Sequence, residues 1–589
     1  MTSHPDATAF ENTRWVLGGV CLVAASLFPF YSVASRDALQ QMFALGMLGL
    51  ASLLFGMSAI ASAPLLLLAA SIVVMASAPH AYWGGQIAGV AGLLLAGVAA
   101  HVGAQSLRKP ALLPWLLLGI VIAAFCNAAE GLLQWFGLVP GVSPWVIEPE
   151  RRGIAFGAFR QPNLFATFIC VGAVCALWLV ELRRLTETMA WFLLLVLVFA
   201  VSASGSRSGA IELLALAGAG CVWHRQQSVA ITRLMMGQLV LFALATYALP
   251  VAAAWHGFDF VSGVARVANA SQDARFLVWR NAVALIWERP WLGWGWLEMG
   301  YGHYVTVFQH RFPELLDHAH NLFLQVAVEF GLPAALALIS TLLWLIFRGR
   351  PWRTRLDRGM TLLAHDLRHH TAGMPDPAHH APRSRQFAWA ILLTIGIHSM
   401  LELPLWSAGF LFLAGLAIGF LMPLPTPHSS RGSYPVWAPR IAGLCTVGLI
   451  ALASVAWMQF ASVDRIYKVP FNDRVAQRTA LAAASDAWLF RSQVDFVAIG
   501  LVKVTQQNAP EIRQKAEKLL HFAAEPHVLV PLLASLRVLN DAGALQFHAE
   551  RFCRAFPAAY VRWKLEPAKQ PMHAAVGALL PPACDQKTP

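Results

Sequence analysis

Charged side chains are scarce in this sequence. Only 13% of its 589 residues are Asp, Glu, Lys or Arg, whereas 57% are apolar, and the mean hydropathy is +0.57. Soluble globular domains carry roughly 25% charged residues, so this composition excludes an ordinary water-soluble enzyme. A chain with so few charges buries most of its surface in lipid, and we predict a multi-pass protein of the lipid bilayer.

Cysteine motifs for metal or redox chemistry are also missing. None of the eight cysteines forms a CxxC pair, so the sequence offers neither a zinc ribbon nor a thioredoxin-like site. Most of them are expected to be small apolar residues of the membrane helices. Cys553 and Cys584 lie in the polar C-terminal region, where a disulfide would fit an oxidising compartment. We predict no cofactor and no metal.

Negative charge is the rarer sign, and the formal net charge is +12. In a soluble protein this excess would suggest nucleic acid, but in a membrane protein basic loops are expected on the cytoplasmic side, so we predict no nucleic-acid partner. The longest basic loop covers residues 348–385 and contains five histidines. We interpret it as a disordered basic loop rather than a metal-binding tract.

Uncharged runs recur along the first 460 residues at lengths near the roughly 20 residues that cross a bilayer as a helix. We predict about thirteen transmembrane helices, the first of which is retained rather than removed as a signal peptide. The predicted spans are residues 15–32, 39–59, 62–79, 82–103, 111–137, 163–182, 188–204, 207–224, 232–254, 319–347, 386–403, 406–424 and 439–461.

The basic loops all alternate to one side of the membrane if the N-terminus is cytoplasmic. Residues 1–461 then form a transmembrane domain with a large periplasmic loop at 255–318 and the cytoplasmic basic loop at 348–385. Residues 462–589 form a periplasmic soluble domain, whose apolar residues recur with helical spacing. The predicted fold class is therefore an all-α polytopic membrane protein with a C-terminal periplasmic helical domain.

Two histidines lie where the 255–318 loop meets the next span. Residues 317–325 read DHAHNLFLQ, so His318 and His320 are followed by Asn321. Ionisable groups at a membrane surface are costly unless they are paired, and a neutral imidazole can accept a proton near pH 7. Interfacial histidines without a chemical role are the alternative. Metal binding is less favoured, because side chains two residues apart at a helix start should point in different directions.

Arginines on the predicted periplasmic side form a second candidate set, since the bias of positive charge toward the cytoplasm does not account for them. A guanidinium grips phosphate oxygens through paired hydrogen bonds and therefore suits a diphosphate ligand. Contact with lipid headgroups is the alternative. The residues are Arg160, which precedes Gln161 and Asn163, then Arg207 within GSRSG, and Arg275 and Arg280 before PWLGWG.

A third candidate is the pair His398 and Glu402, which are four residues apart and would share one face of a helix. They would then be close enough for a hydrogen bond. An ionisable pair at the end of a span marks either a functional site or a structural link between helices.

These motifs resemble the Wzy/WaaL/PglL superfamily of bacterial O-antigen polymerases, O-antigen ligases and protein O-oligosaccharyltransferases. The string HAHN that begins at His318, with Glu329 and Gly331 after it, is similar to the superfamily signature that follows a large periplasmic loop. The QPN string at Gln161 and the segment from His398 to Glu402 are similar to the protein-glycosylating PglL branch. Leu403 departs from that branch, which usually has Glu-Tyr-Pro-Leu here.

The resemblance implies a metal-independent glycosyltransferase in the bacterial inner membrane, with its active site facing the periplasm. It would transfer an oligosaccharide from undecaprenyl diphosphate to Ser or Thr hydroxyls of a pilin or another periplasmic protein. The implied base is His320 or His318. The implied diphosphate ligands are Arg160, Arg207, Arg275 and Arg280. The implied supporting residues are Gln161, Asn163, Asn321, His398 and Glu402.

Two other functions share many of these features. An O-antigen ligase or polymerase would use the same chemistry on lipid A core or on a growing glycan. A lipid-glycan transporter or scaffold would share the spans and the outward-facing cations but would modify no acceptor. Such transporters often contain two similar halves, and no two-half repeat is visible in the sequence.

Overall fold

The computed structural model describes residues 5–35, 37–57, 82–223, 228–268, 274–352, 377–422, 437–470 and 473–565. Across these ranges the chain is helical, with no strand among the described residues, so the all-α prediction is confirmed. The predicted span 62–79, most of the basic loop 348–385 and Cys584 lie outside the described residues. Cys553 is disulfide-bonded.

Seven of the described helices are long and apolar enough to cross a membrane, which confirms a multi-pass protein, while the count of about thirteen stays a prediction. These are Ala38–Phe55, Trp83–Arg108, Leu113–Phe136, Pro162–Glu181, Val229–Trp255, Leu322–Gly349 and Pro439–Lys468. The other helices before the tail are Pro5–Ser26, Glu187–Ala203, Arg207–Trp223, Gly263–Ala268, Arg275–Glu288, Met299–Val305, Pro377–Ser399 and Ala408–Leu421.

Small residues let helices Trp83–Arg108 and Ala408–Leu421 approach each other closely. Gly415 and Gly419 lie four residues apart on Ala408–Leu421, and a β-carbon on them would stand 2.2 Å from the carbonyl oxygens of Ala96 and Ala100, respectively. In lipid, where apolar burial does not drive helix association, such close backbone packing is a main source of stability. The glycines therefore set the distance between these two helices.

Helix Leu322–Gly349 is kinked at Gly331, which has a φ of 85° and therefore a conformation that favours glycine. The kink frees backbone carbonyls, and the preceding PWLGWG segment binds them. The amide of Trp294 donates to the carbonyl of Val328 at 2.8 Å, and that of Gly295 donates to Glu329 at 2.9 Å. The PWLGWG motif thus stabilises the broken helix and fixes the loop beside it.

The C-terminal region is helical, as predicted, and its location in the periplasm stays a prediction. Its core is apolar and includes Leu519, Leu532 and Phe552, all without solvent exposure. Its helices are Arg474–Ala483, Arg491–Ile499, Ala509–Leu520, Pro526–Val538, Ala542–Ala555 and Pro557–Leu565, which we call the tail.

The tail packs against helix Met299–Val305 of the large loop. The Tyr304 hydroxyl lies 3.0 Å from Nδ1 of His548, and His521 Nδ1 lies 2.6 Å from a Glu298 carboxylate oxygen. The Tyr301 ring stacks on His521 with ring centres 4.0 Å apart. Since Tyr304 belongs to the same buried cluster as the tail core, the tail and this part of the loop pack as one unit.

We expect Gly331→Ala to destabilise the protein by about 2 kcal/mol or more, because alanine is strained at this φ. Its β-carbon would also stand 2.2 Å from the Trp291 carbonyl oxygen. The measurement is the apparent unfolding temperature in detergent. Gly448→Ala is the control, since its β-carbon would meet nothing within 4 Å and alanine favours the helix. Equal unfolding temperatures for both variants would contradict this account of the kink.

Candidate active site

The Glu402 carboxylate joins three segments that are distant in sequence. Its side chain is 10% exposed. One oxygen lies 2.6 Å from Nη2 of Arg275 and 3.4 Å from the Asn163 amide nitrogen, and the other lies 2.5 Å from Nδ1 of His320. The structure therefore brings together four of the residues that the sequence proposed separately.

Glu402 remains a carboxylate at neutral pH. Burial alone would raise its pKa, but the hydrogen bonds and positive charges of His320 and Arg275 outweigh burial and lower the pKa to about 2. A buried carboxylate that pairs with a guanidinium and an imidazole is stable as a unit, whereas removing one partner leaves part of its charge uncompensated.

His320 precedes a helix rather than lying on it. The helix begins at Leu322, and Asn321 caps it by accepting hydrogen bonds from the amides of Phe323 and Leu324, both at 3.1 Å. The Asn321 amide nitrogen also donates to the carbonyl of Met400 at 3.0 Å, two residues before Glu402. Asn321 therefore holds the histidine segment beside the Glu402 segment.

The two histidine rings lie side by side, with centres 4.2 Å apart. We expected them to point in different directions, and this expectation was wrong because His318 and His320 are not helical and His320 has a φ of 49°. Nδ1 of His318 contacts the Asp317 carboxylate. Each histidine thus has a carboxylate at Nδ1, and its Nε2 has no hydrogen-bond partner among the residues that the structure describes.

The Asp317 contact determines the charge of His318. Burial would lower the pKa of His318, but the hydrogen bond and negative charge of Asp317 outweigh it and raise this pKa. Burial would likewise raise the pKa of Asp317, yet His318 lowers it. His318 is consequently protonated more readily than an ordinary histidine.

His318, His320 and Glu402 offer one potential metal-ligand atom each, all within 4.8 Å of one another. However, the Glu402 oxygens already contact Arg275 and His320. A cation bound here would have to displace one of those partners. The metal-free reaction stays a prediction.

His398 has a different partner from the one that we expected. Its Nδ1 lies 2.7 Å from the Thr167 hydroxyl, which also donates to Glu212 at 2.7 Å. Helix Pro377–Ser399 ends before Glu402, so the predicted shared helix face does not continue to that residue. His398 is fully buried and belongs to a network inside the bundle, beside the Glu402 cluster.

A second polar network supports Asn163. Its amide oxygen accepts a hydrogen bond from the Ser206 hydroxyl at 2.7 Å, and Ser206 in turn lies 2.9 Å from Ser208. The sequence analysis did not single out these partners. Thr167 and Glu212 are isolated polar residues within apolar runs, and Ser206 was noted only as part of the GSRSG string around Arg207.

The four predicted arginines do not gather at one point. Arg275 contacts Glu402, whereas exposed Arg280 donates to the Gln309 side chain at 3.0 Å. The Arg160 guanidinium lies over the Tyr31 ring at 4.0 Å, where it lines, with Gln161, a cavity of about 1050 Å³.

Arg207 lies near two arginines that the sequence analysis missed. The guanidinium carbon of Arg266 is 3.6 Å from where a β-carbon on Gly205 would stand, two residues before Arg207. Burial lowers the pKa of Arg266, and the nearby charges of Arg151 and Arg207 lower it further. These three arginines form a cationic cluster beside Ser206, and no sequence motif marks Arg151 or Arg266.

Three protein-family models match parts of this sequence. Residues 155–180, which include Arg160, Gln161 and Asn163, match the model of the protein glycosylation ligase family. Residues 192–339 match the O-antigen ligase family, and residues 386–570 match the C-terminal part of a virulence factor membrane-bound polymerase family. The three matched ranges contain every residue that contacts Glu402.

These family matches, together with a curated O-oligosaccharyltransferase relative, support the Wzy/WaaL/PglL superfamily, with most likeness to the PglL branch.

Curated proteins that are similar to this chain include two from Acinetobacter baylyi. One is a general O-oligosaccharyltransferase, 24% identical over 365 residues that cover 59% of this chain and 56% of the relative. The other is a ComP-specific O-oligosaccharyltransferase, 22% identical over 326 residues that cover 54% and 53%, respectively. The matched region thus spans only about half the length of either relative.

The low pKa of Glu402 predicts a pH-dependent contribution to stability. Since the pKa falls from its ordinary 4.5 to about 2, the stabilisation is fully present above pH 4.5 and is lost as the pH falls toward 2. We expect Glu402→Gln to lower stability by on the order of 3 kcal/mol near neutral pH. The measurement is the unfolding temperature of the unmodified protein and of Glu402→Gln at several pH values between 6 and 3. We expect the two temperatures to converge as the pH falls.

Glu314→Gln is the control, because Glu314 is an exposed carboxylate in the 255–318 loop, away from the Glu402 segment in sequence. Its unfolding temperature should follow that of the unmodified protein at each pH. A Glu402→Gln difference that stays constant down to pH 3 would show that the Glu402 charge is not stabilised by Arg275 and His320.

Proposed function

We propose that this protein transfers an oligosaccharide from undecaprenyl diphosphate to a Ser or Thr hydroxyl of a periplasmic protein such as a pilin. The observation that supports it most is the contact of buried Glu402 with both His320 and Arg275, because it combines a proton acceptor with a cation. The two curated relatives, which are O-oligosaccharyltransferases, support the same reaction class.

His320 is the proposed base. Its Nδ1 is held by Glu402 at 2.5 Å, which directs Nε2 toward an acceptor hydroxyl, as in a base that a carboxylate orients. The hydroxyl oxygen bonds to the anomeric carbon while its proton passes to Nε2. The bond from that carbon to the diphosphate oxygen breaks, and the diphosphate leaves with the electron pair. Direct displacement inverts the anomeric centre.

The leaving diphosphate requires cations at fixed positions, because its negative charge increases as the bond breaks. Arg275 is the proposed principal ligand, since its five N–H donors let one guanidinium bind Glu402 and a phosphate together. The cluster of Arg207, Arg151 and Arg266 supplies further positive charge beyond Asn163 and Ser206. Of the other predicted ligands, Arg160 lies over the Tyr31 ring and Arg280 donates to the Gln309 side chain.

The proposal places the cluster at the periplasmic face of the inner membrane. The residues that contact Glu402 lie at or just before the starts of helices Pro162–Glu181, Arg275–Glu288 and Leu322–Gly349, and Glu402 itself follows the end of Pro377–Ser399. The positive-inside bias of the basic loops assigns this end to the periplasm. The proposed transmembrane and soluble domains then follow at 1–461 and 462–589, with the tail beside the acceptor.

O-antigen ligation or polymerisation is the second candidate, because residues 192–339 match the O-antigen ligase family. The chemistry is the same, and only the acceptor differs. A lipid-glycan transporter or scaffold, the third alternative, would leave every acceptor unmodified.

The deciding experiment is transfer by the purified protein with a lipid-linked glycan and a pilin-like acceptor, followed by intact mass. We expect the acceptor mass to increase by one glycan. Transfer to lipid A core but not to protein would favour the ligase, and no transfer to any acceptor would favour a transporter or scaffold.

In this assay His320→Ala should lower transfer by a factor of roughly 10² to 10⁴, because it removes the base. His310→Ala is the control, since His310 is exposed in the same loop. If the His320 variant inserts normally and transfers at the unmodified rate, His320 is not the base.

Arg275→Lys should lower turnover by on the order of a hundredfold, because a lysine point charge cannot bind Glu402 and phosphate in the geometry of a guanidinium fork. Arg280→Lys should have little effect, since Arg280 contacts only Gln309 among the described residues. Turnover is measured at saturating donor. Equal rates for the two variants would argue against diphosphate binding by Arg275.

A further inference from the structure

Two residues with left-handed backbone conformations lie in or beside segments that the buried side chains of Gln325 and Glu329 contact. His320 has a φ of 49° and Leu297 has a φ of 62°. Residues other than glycine adopt this region at an energetic cost, and they persist there only when surrounding contacts hold them. The contacts that hold these two residues come from Gln325 and Glu329.

Gln325 holds the peptide between His318 and Ala319. Its side chain is buried, and its amide oxygen accepts a hydrogen bond from the backbone N–H of Ala319 at 2.7 Å. Ala319 lies between His318 and His320 and has no solvent exposure. The contact resembles a capping box, in which a glutamine in the first helical turn reaches back to a backbone amide before the helix.

Glu329 fixes Gln325 and Leu297 together. One of its carboxylate oxygens accepts from the Gln325 amide nitrogen at 3.0 Å and from the backbone N–H of Leu297 at 3.0 Å. Because Glu329 binds the NH₂ group of Gln325, the carbonyl oxygen of that amide must face Ala319. The orientation of Gln325 is therefore determined from both ends.

The Leu297 end of this chain of contacts leads to the tail. Glu298 follows Leu297, and its carboxylate lies 2.6 Å from Nδ1 of His521 in the tail. The chain of hydrogen bonds thus connects the histidine segment at one end with the tail-binding loop at the other. The Ala319 and Leu297 segments at these two ends lie outside regular helices, and no sequence motif predicts what holds them.

We propose that Gln325 and Glu329 are positioning residues that hold His318 and His320 in the geometry required for transfer. This inference rests on the proposed function. Neither side chain contacts substrate in this account, since both act through the backbone of Ala319 and Leu297. Loss of either should misplace the base relative to Glu402 and lower the rate of transfer without changing which molecules bind.

The test combines amide hydrogen exchange with steady-state kinetics on purified, full-length protein. Gln325→Met keeps the size of the side chain and removes both hydrogen bonds. We expect faster exchange in the peptide that contains Ala319 and a fall in kcat on the order of a hundredfold, with KM for donor and acceptor unchanged. Glu329→Leu should behave likewise, whereas Glu329→Gln retains an acceptor oxygen and should retain most of the activity.

Gln238→Met is the matched control. Gln238 is as buried as Gln325, and its side-chain amide has no hydrogen-bond partner among the described residues. The substitution should therefore leave exchange at Ala319 and kcat as they are in the unmodified protein. If Gln325→Met fails to fold, Gln325→Asn takes its place, since it keeps the amide but is too short to reach Ala319.

The outcomes separate this inference from the proposed function. An unmodified protein that transfers no glycan refutes the function, while exchange at Ala319 still reports on the Gln325 contact. An active protein whose Gln325→Met variant keeps the unmodified kcat, or loses activity through KM alone, overturns the positioning role. Unchanged exchange at Ala319 in a folded variant overturns it as well.

Discussion

Moving a carboxylate out of water costs several kcal/mol unless cations and hydrogen bonds replace its hydration. Glu402 is in this position, and the protein compensates its charge with Arg275, His320 and Asn163. Each partner comes from a different helix or loop, so satisfying one buried charge also fixes how these segments sit relative to one another. The pairing that stabilises Glu402 is therefore the same pairing that assembles the candidate active site.

The backbone around this charge is restrained at points where regular helices would not suffice. Gly331 breaks a membrane helix, and the PWLGWG segment binds the carbonyls that the break leaves free. At the start of the same helix, Asn321 caps the first turn and contacts Met400, close to Glu402. Because the helix begins only at Leu322, His320 lies on a non-helical segment that brings its ring to Glu402.

The sequence predicts the helices well because each membrane helix satisfies its own backbone hydrogen bonds and is visible in the sequence as an apolar run. His320, Arg275 and Glu402 were also recognised, each from a local motif. Their mutual contacts were not predictable, since the pairing of residue 320 with residue 402 depends on how distant helices pack. The sequence did not predict two further contacts for the same reason: the pairing of His398 with Thr167, and the cluster of Arg151, Arg207 and Arg266.

The central claim is that Glu402 and His320 act as one unit, and a double-mutant cycle on the rate of transfer tests it most directly. The rates of Glu402→Gln, His320→Gln and the double variant are compared with the unmodified rate at saturating substrates. Residues that act together give non-additive losses, so the double variant should be about as slow as the worse single variant. Losses that multiply across the double variant would show that the two side chains act independently and would contradict the account.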